Sequence, residues 1–254
     1  MKFIHCIFLF LFCALSAQVN SAFDSLKLKD VKDLLADDYG NIYLYKDVDF
    51  SFTKYDSVGN QKGKLMLTLP FKIQSLQNPL NIPSFSENAQ ELKFYDQNLN
   101  EIQTVNFRER FGFVKMVYAE DLQQIWLLDE SSKRLIQYNF REDKIINSYP
   151  FNVDFENLKD FLVFSNQVYL LKENNLSTYN FNGERIFELP LEEGRRLRRE
   201  NGNILVMGTN SVHQLKDRSL EKIFSAENSQ IVDKNSVAYF VISANKLYLY
   251  PLNK

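Results

Sequence analysis

Gln124-Ile125-Trp126-Leu127-Leu128-Asp129-Glu130-Ser131-Ser132-Lys133-Arg134-Leu135-Ile136-Gln137-Tyr138 is the stretch on which the reading of the fold depends. Two short apolar runs flank a polar cluster, Asp129-Glu130-Ser131-Ser132, whose side chains bond nearby backbone and favour a turn. Upstream, Phe113-Val114-Lys115-Met116-Val117-Tyr118 predicts another strand and Ala119-Glu120-Asp121 another turn. Downstream, residues 139–143 turn again and residues 144–151 predict a fourth strand. Four such strands joined by short turns form an antiparallel meander.

The unit recurs about every 40 residues. In each copy an Asn or Gln precedes an aliphatic residue, and a tyrosine follows 11 to 13 positions later. The copies are Asn41-Ile42 to Tyr55, Asn81-Ile82 to Tyr95, Gln124-Ile125 to Tyr138 and Gln167-Val168 to Tyr179. Asn203-Ile204 to Leu215 and Ser236-Val237 to Tyr250 are looser versions. An apolar residue stands three positions before each terminal residue: Phe52, Leu92, Leu135, Leu176, Val212 and Leu247. A period of this length with four strands per unit predicts an all-β, six-bladed β-propeller of four-stranded antiparallel blades. The last unit has only three strands, and residues 25–30 form a spare one ahead of a first strand at 31–36. That N-terminal strand is expected to pair with residues 246–252 and close the ring, hiding open sheet edges. Pro83 weakens the second strand of blade two and leaves five or seven blades as alternatives.

Residues 1–17 read as a secretory signal peptide: Lys2, an apolar run over 3–15, then Ala14, Ser16 and Ala17. Cleavage is expected after Ala17, or as late as Ala22. About 13 apolar residues are too few to span a bilayer, so no transmembrane segment is expected in the mature chain. Residues 23–254 read as one propeller domain. Both cysteines, Cys6 and Cys13, fall in the leader, and Phe12 before Cys13 does not suit a lipoprotein signal. The mature chain is therefore expected to fold without disulfides. The net charge of −2 gives no chain-wide attraction to nucleic acid.

Chemistry is expected at the channel. Counting nine or ten residues back from the aliphatic of each unit reaches Lys32, Lys72, Lys115, Lys159 and Arg195, a predicted basic ring around one mouth that would attract an acidic or anionic partner. Arg196, Arg198 and Arg199 thicken it in blade five, where guanidinium forks suit carboxylates. The alternative for this stretch is a solvated loop neutralised by Glu192, Glu193 and Glu200. Enzyme signatures are sparse, so a non-enzyme without cofactor or metal is expected. His213 is the one histidine beyond the leader and reads as structural. Asp37-Asp38-Tyr39-Gly40-Asn41 suits a turn better than a calcium loop, for it lacks the distant bidentate Glu. Asp33, Asp160 and Asp233 are the carboxylates that a metal-dependent, lactonase-like hydrolase would need in the channel, though they lie beside basic residues.

The Asp-x-x-Gly-Asn-x-Tyr phrase at Asp37 to Tyr43 resembles the repeats of bacterial six-bladed propellers of the NHL and YWTD kind. That resemblance implies protein or glycan binding, with enzymes a minority. The leader ending in Ser16-Ala17-Gln18, and the stretch from Asn78-Pro79-Leu80 to Asn100, resemble small periplasmic propellers of bacteria that use type 9 secretion. One of these plugs the periplasmic mouth of the outer-membrane translocon. The resemblance implies a periplasmic interaction module on an outer-membrane protein complex, with glycan binding or metal-dependent hydrolysis as alternatives.

Overall fold

The computed structural model describes residues 28–252 and, upstream, a strand at Gln18–Val19. The leader at residues 1–17 and residues 25–27 of the expected spare strand lie outside the described residues. The strands form six four-stranded antiparallel sheets, the six blades of a propeller. β1 (Gln18–Val19) belongs to the last blade. Blade one is β2 (Asp33–Ala36), β3 (Ile42–Lys46), β4 (Ser51–Tyr55) and β5 (Gln61–Met66). Blade two is β6 (Lys72–Ile73), β7 (Ile82–Ser86), β8 (Glu91–Tyr95) and β9 (Glu101–Asn106). Blade three is β10 (Val114–Ala119), β11 (Gln124–Asp129), β12 (Arg134–Asn139) and β13 (Lys144–Pro150). Blade four is β14 (Leu158–Phe164), β15 (Gln167–Lys172), β16 (Asn175–Tyr179) and β17 (Arg185–Pro190). Blade five is β18 (Gly194–Glu200), β19 (Asn203–Gly208), β20 (Ser211–Lys216) and β21 (Ser219–Ser225). Blade six is β22 (Ile231–Lys234), β23 (Ala238–Ser243), β24 (Lys246–Pro251) and then β1.

The sequence phrase is a cross-strand pair. Ile42 stands opposite Tyr55, Ile82 opposite Tyr95, Ile125 opposite Tyr138, Val168 opposite Tyr179 and Ile204 opposite Leu215. In blade six Tyr250 is instead opposite Tyr239. Val237, taken as the aliphatic of that phrase, precedes β23 and is exposed. The residues three before the tyrosines are buried, Phe52 facing Tyr45 and Leu92 facing Phe85, for example. Pro83 lies inside β7 after all. It has no N–H to donate, and its neighbour β6 is only two residues long. The ladder continues there through the Gln74 N–H, which donates to the Pro83 carbonyl at 2.8 Å.

Ring closure comes from a different segment than expected. Gln18 pairs with Leu249 and Val19 with Tyr248, upstream of the boundary read at residue 23. Leu28 to Asp30 form no strand; Asp30 turns with φ of 63°, while Leu28 is buried between blades six and one with Leu34, Phe240 and Leu247. Each apolar cluster spans two neighbouring blades in this way, so every sheet covers the next. Burying each such Leu or Phe stabilises by about 1.5–3 kcal/mol. Aromatic pairs join the same seams, such as Phe94 on Phe140 at 5.0 Å between centroids.

The Asp-x-x-Gly-Asn phrase is a self-capped turn. Asp37 Oδ1 accepts the N–H groups of Tyr39 and Asn41, and Oδ2 accepts Asn41 Nδ2 and the Tyr43 hydroxyl. Gly40 has φ of 84°, which a side chain would strain. Asp56 and Asp96 repeat the pattern in outer turns with Asn60 and Asn100. The carboxylate oxygens are occupied by backbone and amide donors, which is the turn reading of this motif.

Candidate functional site

Three innermost strands carry the same irregularity. The pairing of β10 with β11 skips Lys115, that of β14 with β15 skips Lys159, and that of β18 with β19 skips Arg195. Each is the extra residue of a β-bulge, which bends a strand and re-aims a side chain. Lys32 has the corresponding place before β2: its N–H donates to the Tyr45 carbonyl at 2.8 Å, and Tyr45 is the residue opposite Asp33. The basic residue that recurs in the sequence thus marks the bulge at the start of three inner strands, and stands just before the fourth. Lys72 differs, for it sits within the ladder opposite Phe85.

One level further along, each innermost strand has one residue at an equivalent register, and four of this layer of six are charged. Around the ring these are Asp33, Lys72, Met116, Asp160, Arg196 and Ile231. The order is acid, base, apolar, acid, base, apolar. Lys72 Nζ reaches from blade two to Asp160 Oδ1 of blade four at 2.7 Å. Arg196 of blade five pairs with Asp33 of blade one, whose other oxygen takes Arg195. Arg196 Nη1 also lies 3.8 Å from Asp233 Oδ1. The carboxylates stitch neighbouring blades as well. Asp160 Oδ2 accepts the Leu197 N–H at 2.7 Å, and Asp233 Oδ2 accepts the Ala36 N–H at 2.8 Å. These are the acids considered as metal ligands; each is instead held by cations and backbone N–H groups.

Arg196 is buried. Burial alone would pull its guanidinium down, but Asp33, Asp233 and Asp160 hold it above its ordinary value. Burial pushes the Asp233 carboxyl up, against the pull of Arg196 and Arg198. A second pair, buried Lys234 with half-buried Glu200, joins blades five and six, and Arg198 Nε lies 3.1 Å from Glu200 Oε2. Removing one member of a buried pair typically costs about 3–5 kcal/mol, because the other charge is left uncompensated.

Asp33, Lys72 and Ile231 of this level line a cavity of about 800 Å³ at the mouth where the inner strands begin. Five cations line it, Lys29, Lys32, Lys72, Lys159 and Arg195, together with four carboxylates, Asp30, Asp33, Glu173 and Glu193. The mouth is therefore of mixed charge, not a ring of one sign. Its rim cations are loosely held: Lys32 Nζ is 4.0 Å from Asp47 and Lys159 Nζ 3.3 Å from Glu173, and all four side chains are substantially exposed. Lys115 lies beside the mouth, bound to Glu87 at 2.8 Å.

Arg198 and Arg199 are at the far end of the channel. With Gln74, Gln77 and Tyr118 they line a small cavity of about 40 Å³. Arg199 stacks on the Phe164 ring, 4.1 Å from its centroid, and its backbone carbonyl accepts Gln77 Nε2. The arginine-rich stretch is thus strand β18, not a solvated loop, and Asp33 and Glu200 neutralise its buried members. The eight predicted basic residues divide among rim, layer and far end. Lys234 and the acids of the layer were missed as partners, although Asp33 and Asp160 directly follow the recurrent lysines. His213 lies on β20 opposite Val206, away from the channel, and burial and Lys222 hold it below its usual value.

No family model and no curated protein matches the chain. Among solved structures, a protein of unknown function from Bacteroides thetaiotaomicron superposes with a TM-score of 0.60 at 12% identity, over 94% of this chain and 72% of that one. A streptogramin B lyase gives 0.56 at 12% identity, over 94% and 88%. Virginiamycin B lyase from Staphylococcus aureus gives 0.56 at 9% identity, over 89% and 96%. Likeness at these identities is likeness of fold. It nonetheless corrects the expectation of a non-enzyme: two of these propellers are lyases, so the lack of a legible motif is no argument against catalysis on this fold. What the comparisons establish is that this chain is a six-bladed β-propeller sharing its architecture with propellers that include enzymes.

Proposed function

We propose that this chain is an exported propeller that recognises a carboxylate-bearing partner, such as an acidic peptide segment, at the mouth of its channel. The observation that carries the reading is the contrast between rim and layer. Lys32 and Lys159 stand exposed around a cavity of about 800 Å³ with distant or exposed counter-charges, while the layer cations are locked in pairs. Loosely paired rim charges speed association and fade with salt. The leader supports a periplasmic location. Cleavage after Ala17 suits the proposal, since Gln18–Val19 complete blade six. The resemblance to propellers of type 9 secretion supports an outer-membrane secretion complex as the partner.

The test is affinity capture from the membrane fraction, alongside binding of a polyglutamate peptide, at low and high salt. Lys32→Glu with Lys159→Glu should weaken both at low salt and leave melting unchanged. Undiminished capture and peptide binding would sink the proposal. The fold shared with lyases supports a second reading, in which the group bound at this mouth is also turned over. Product formation from a captured small molecule would favour that reading.

A further inference from the structure

The face opposite the mouth carries its own pattern. It is built from the turns joining first to second strands, near the channel, and third to fourth strands, further out. In four consecutive blades the inner turn exposes a large apolar side chain: Val237 (55% exposed) in blade six, Tyr39 (75%) in blade one, Leu80 (60%) in blade two and Leu122 (50%) in blade three. Blades four and five instead close with the short turns at Ser165-Asn166 and Asn201-Gly202. Single exposed apolar residues are ordinary. Four at the same turn of adjoining blades form an arc around the channel end, and Val58 in the outer turn of blade one extends it.

The arc is fixed in place. The Ser236 N–H donates to Asp38 Oδ1 at 2.8 Å and Asn235 Nδ2 to the Asp37 carbonyl at 2.9 Å, so the turns bearing Val237 and Tyr39 are bound to each other. The Leu80 N–H is capped by Asn78 Oδ1 at 3.1 Å. Asp121 Oδ1 caps the N–H groups of Gln123 and Gln124, both at 2.7 Å. Preformed tips lose little freedom on binding.

The charges around the arc are predominantly acidic, with Arg141 donating to the Leu122 carbonyl at 3.3 Å and Arg199 nearby at the channel end. Its inner turns hold Asp37, Asp38, Glu120 and Asp121 and no Lys or Arg. Among the described residues no Lys or Arg lies within ion-pair distance of Asp38, Glu120 or Asp121. The outer turns of blades one to three add Asp56, Asp96, Glu142 and Asp143 against Arg141; Asp56 and Asp143 are partly offset by Lys62 and Arg110. An anionic lipid surface would be repelled here.

We propose that this face docks a partner protein through a segment that combines apolar side chains with Lys or Arg. The apolar residues seat on the arc of Val237, Tyr39, Leu80 and Leu122, and the cations meet Asp38, Glu120 and Asp121. The surface lies at the other end of the channel from the mouth, so one protomer can hold two partners at once.

The test uses a labelled amphipathic Leu/Lys peptide, a Leu/Glu counterpart and phosphatidylglycerol vesicles. Two variants are compared, Tyr39→Ser/Leu80→Ser/Leu122→Ser/Val237→Ser and Asp38→Asn/Glu120→Gln/Asp121→Asn. The second keeps an acceptor oxygen at every capped N–H, so it preserves the turns. The Leu/Lys peptide should bind the native chain and bind the first variant about tenfold more weakly, as loss of a small hot-spot cluster does. With the second variant its affinity should fall and lose its dependence on salt. The proposal is overturned if the Leu/Lys peptide does not bind, if both variants bind it as the native chain does, or if the Leu/Glu peptide or the vesicles bind better.

Discussion

Arg196 and Lys159 show what a single level of the ladder decides. Lys159 is the bulged residue of blade four, and Arg196 stands one level deeper in blade five. Lys159 points a loosely paired ammonium at an open cavity. Arg196 is buried and shared between Asp33 and Asp233. Both are cations near the start of an innermost strand, yet one is exposed beside Glu173 and the other holds blades one, five and six together. The difference teaches that the level in the strand does not decide alone: Arg195, at the same bulge position as Lys159, is bound to Asp33 beside Arg196.

The strongest way to break the contrast is to remove a layer charge. Arg196→Ala should cost about 3–5 kcal/mol in urea unfolding, whereas Arg196→Met combined with Asp33→Leu should recover only part of the loss, because Asp233 and Arg195 still lose a partner. A single variant within about 0.5 kcal/mol of the parent would show that the layer is not structural.

The Asp turns offer the same contrast at smaller scale. Asp37 is buried and accepts four hydrogen bonds, while Asp56 makes the same turn at the surface. Asp37→Ala should destabilise by about 1–3 kcal/mol, through a buried Tyr43 hydroxyl and turn N–H groups left without an acceptor. Asp56→Ala should lower the melting temperature less, and equal losses would mean that burial adds nothing to the motif.

Rim substitutions should be nearly silent in stability. Lys32→Glu and Lys159→Glu are expected within about 0.5 kcal/mol of the parent, with their effect confined to binding at low salt. A large loss of stability would place these lysines with the layer.

The smallest expected effect is a pH dependence outside the channel. Burial and then Lys222 depress the His213 value below 6.5. Its stabilising contribution is therefore full above the unfolded value and is lost as pH falls through the folded one. Melting temperature should decline slightly between about pH 7 and 5, and His213→Gln should flatten that decline. An unchanged slope would assign the dependence to other groups.

Much of this was legible one unit at a time. Ile125 and Tyr138 face each other because a short hairpin with a polar turn leaves little choice of register, so the repeat could be counted from spacing alone. The blade-six phrase was misplaced by two residues, for Val237 and Tyr239 both suit a strand and only the ladder selects Tyr239. The closing strand was misassigned for a similar reason. Residues 25–30 have strand-like composition, but Leu28 is used as a plug between blades and β24 pairs with Gln18 and Val19. The recurrent basic residue was visible as well, while its fate was not: Lys72 and Lys159 look alike in sequence, and a bulge of one residue separates them.

Local chemistry along the chain was thus sufficient for the repeat, the order of strands within blades one to five, and the self-capped Asp turns, because these depend on residues a few positions apart. The partners of the channel charges were decided by tertiary structure alone. Asp33 meets Arg196 across 163 positions and Lys72 meets Asp160 across 88. Only closure of the ring brings opposing blades within reach, and only burial there makes pairing obligatory for a charge that would otherwise remain in water.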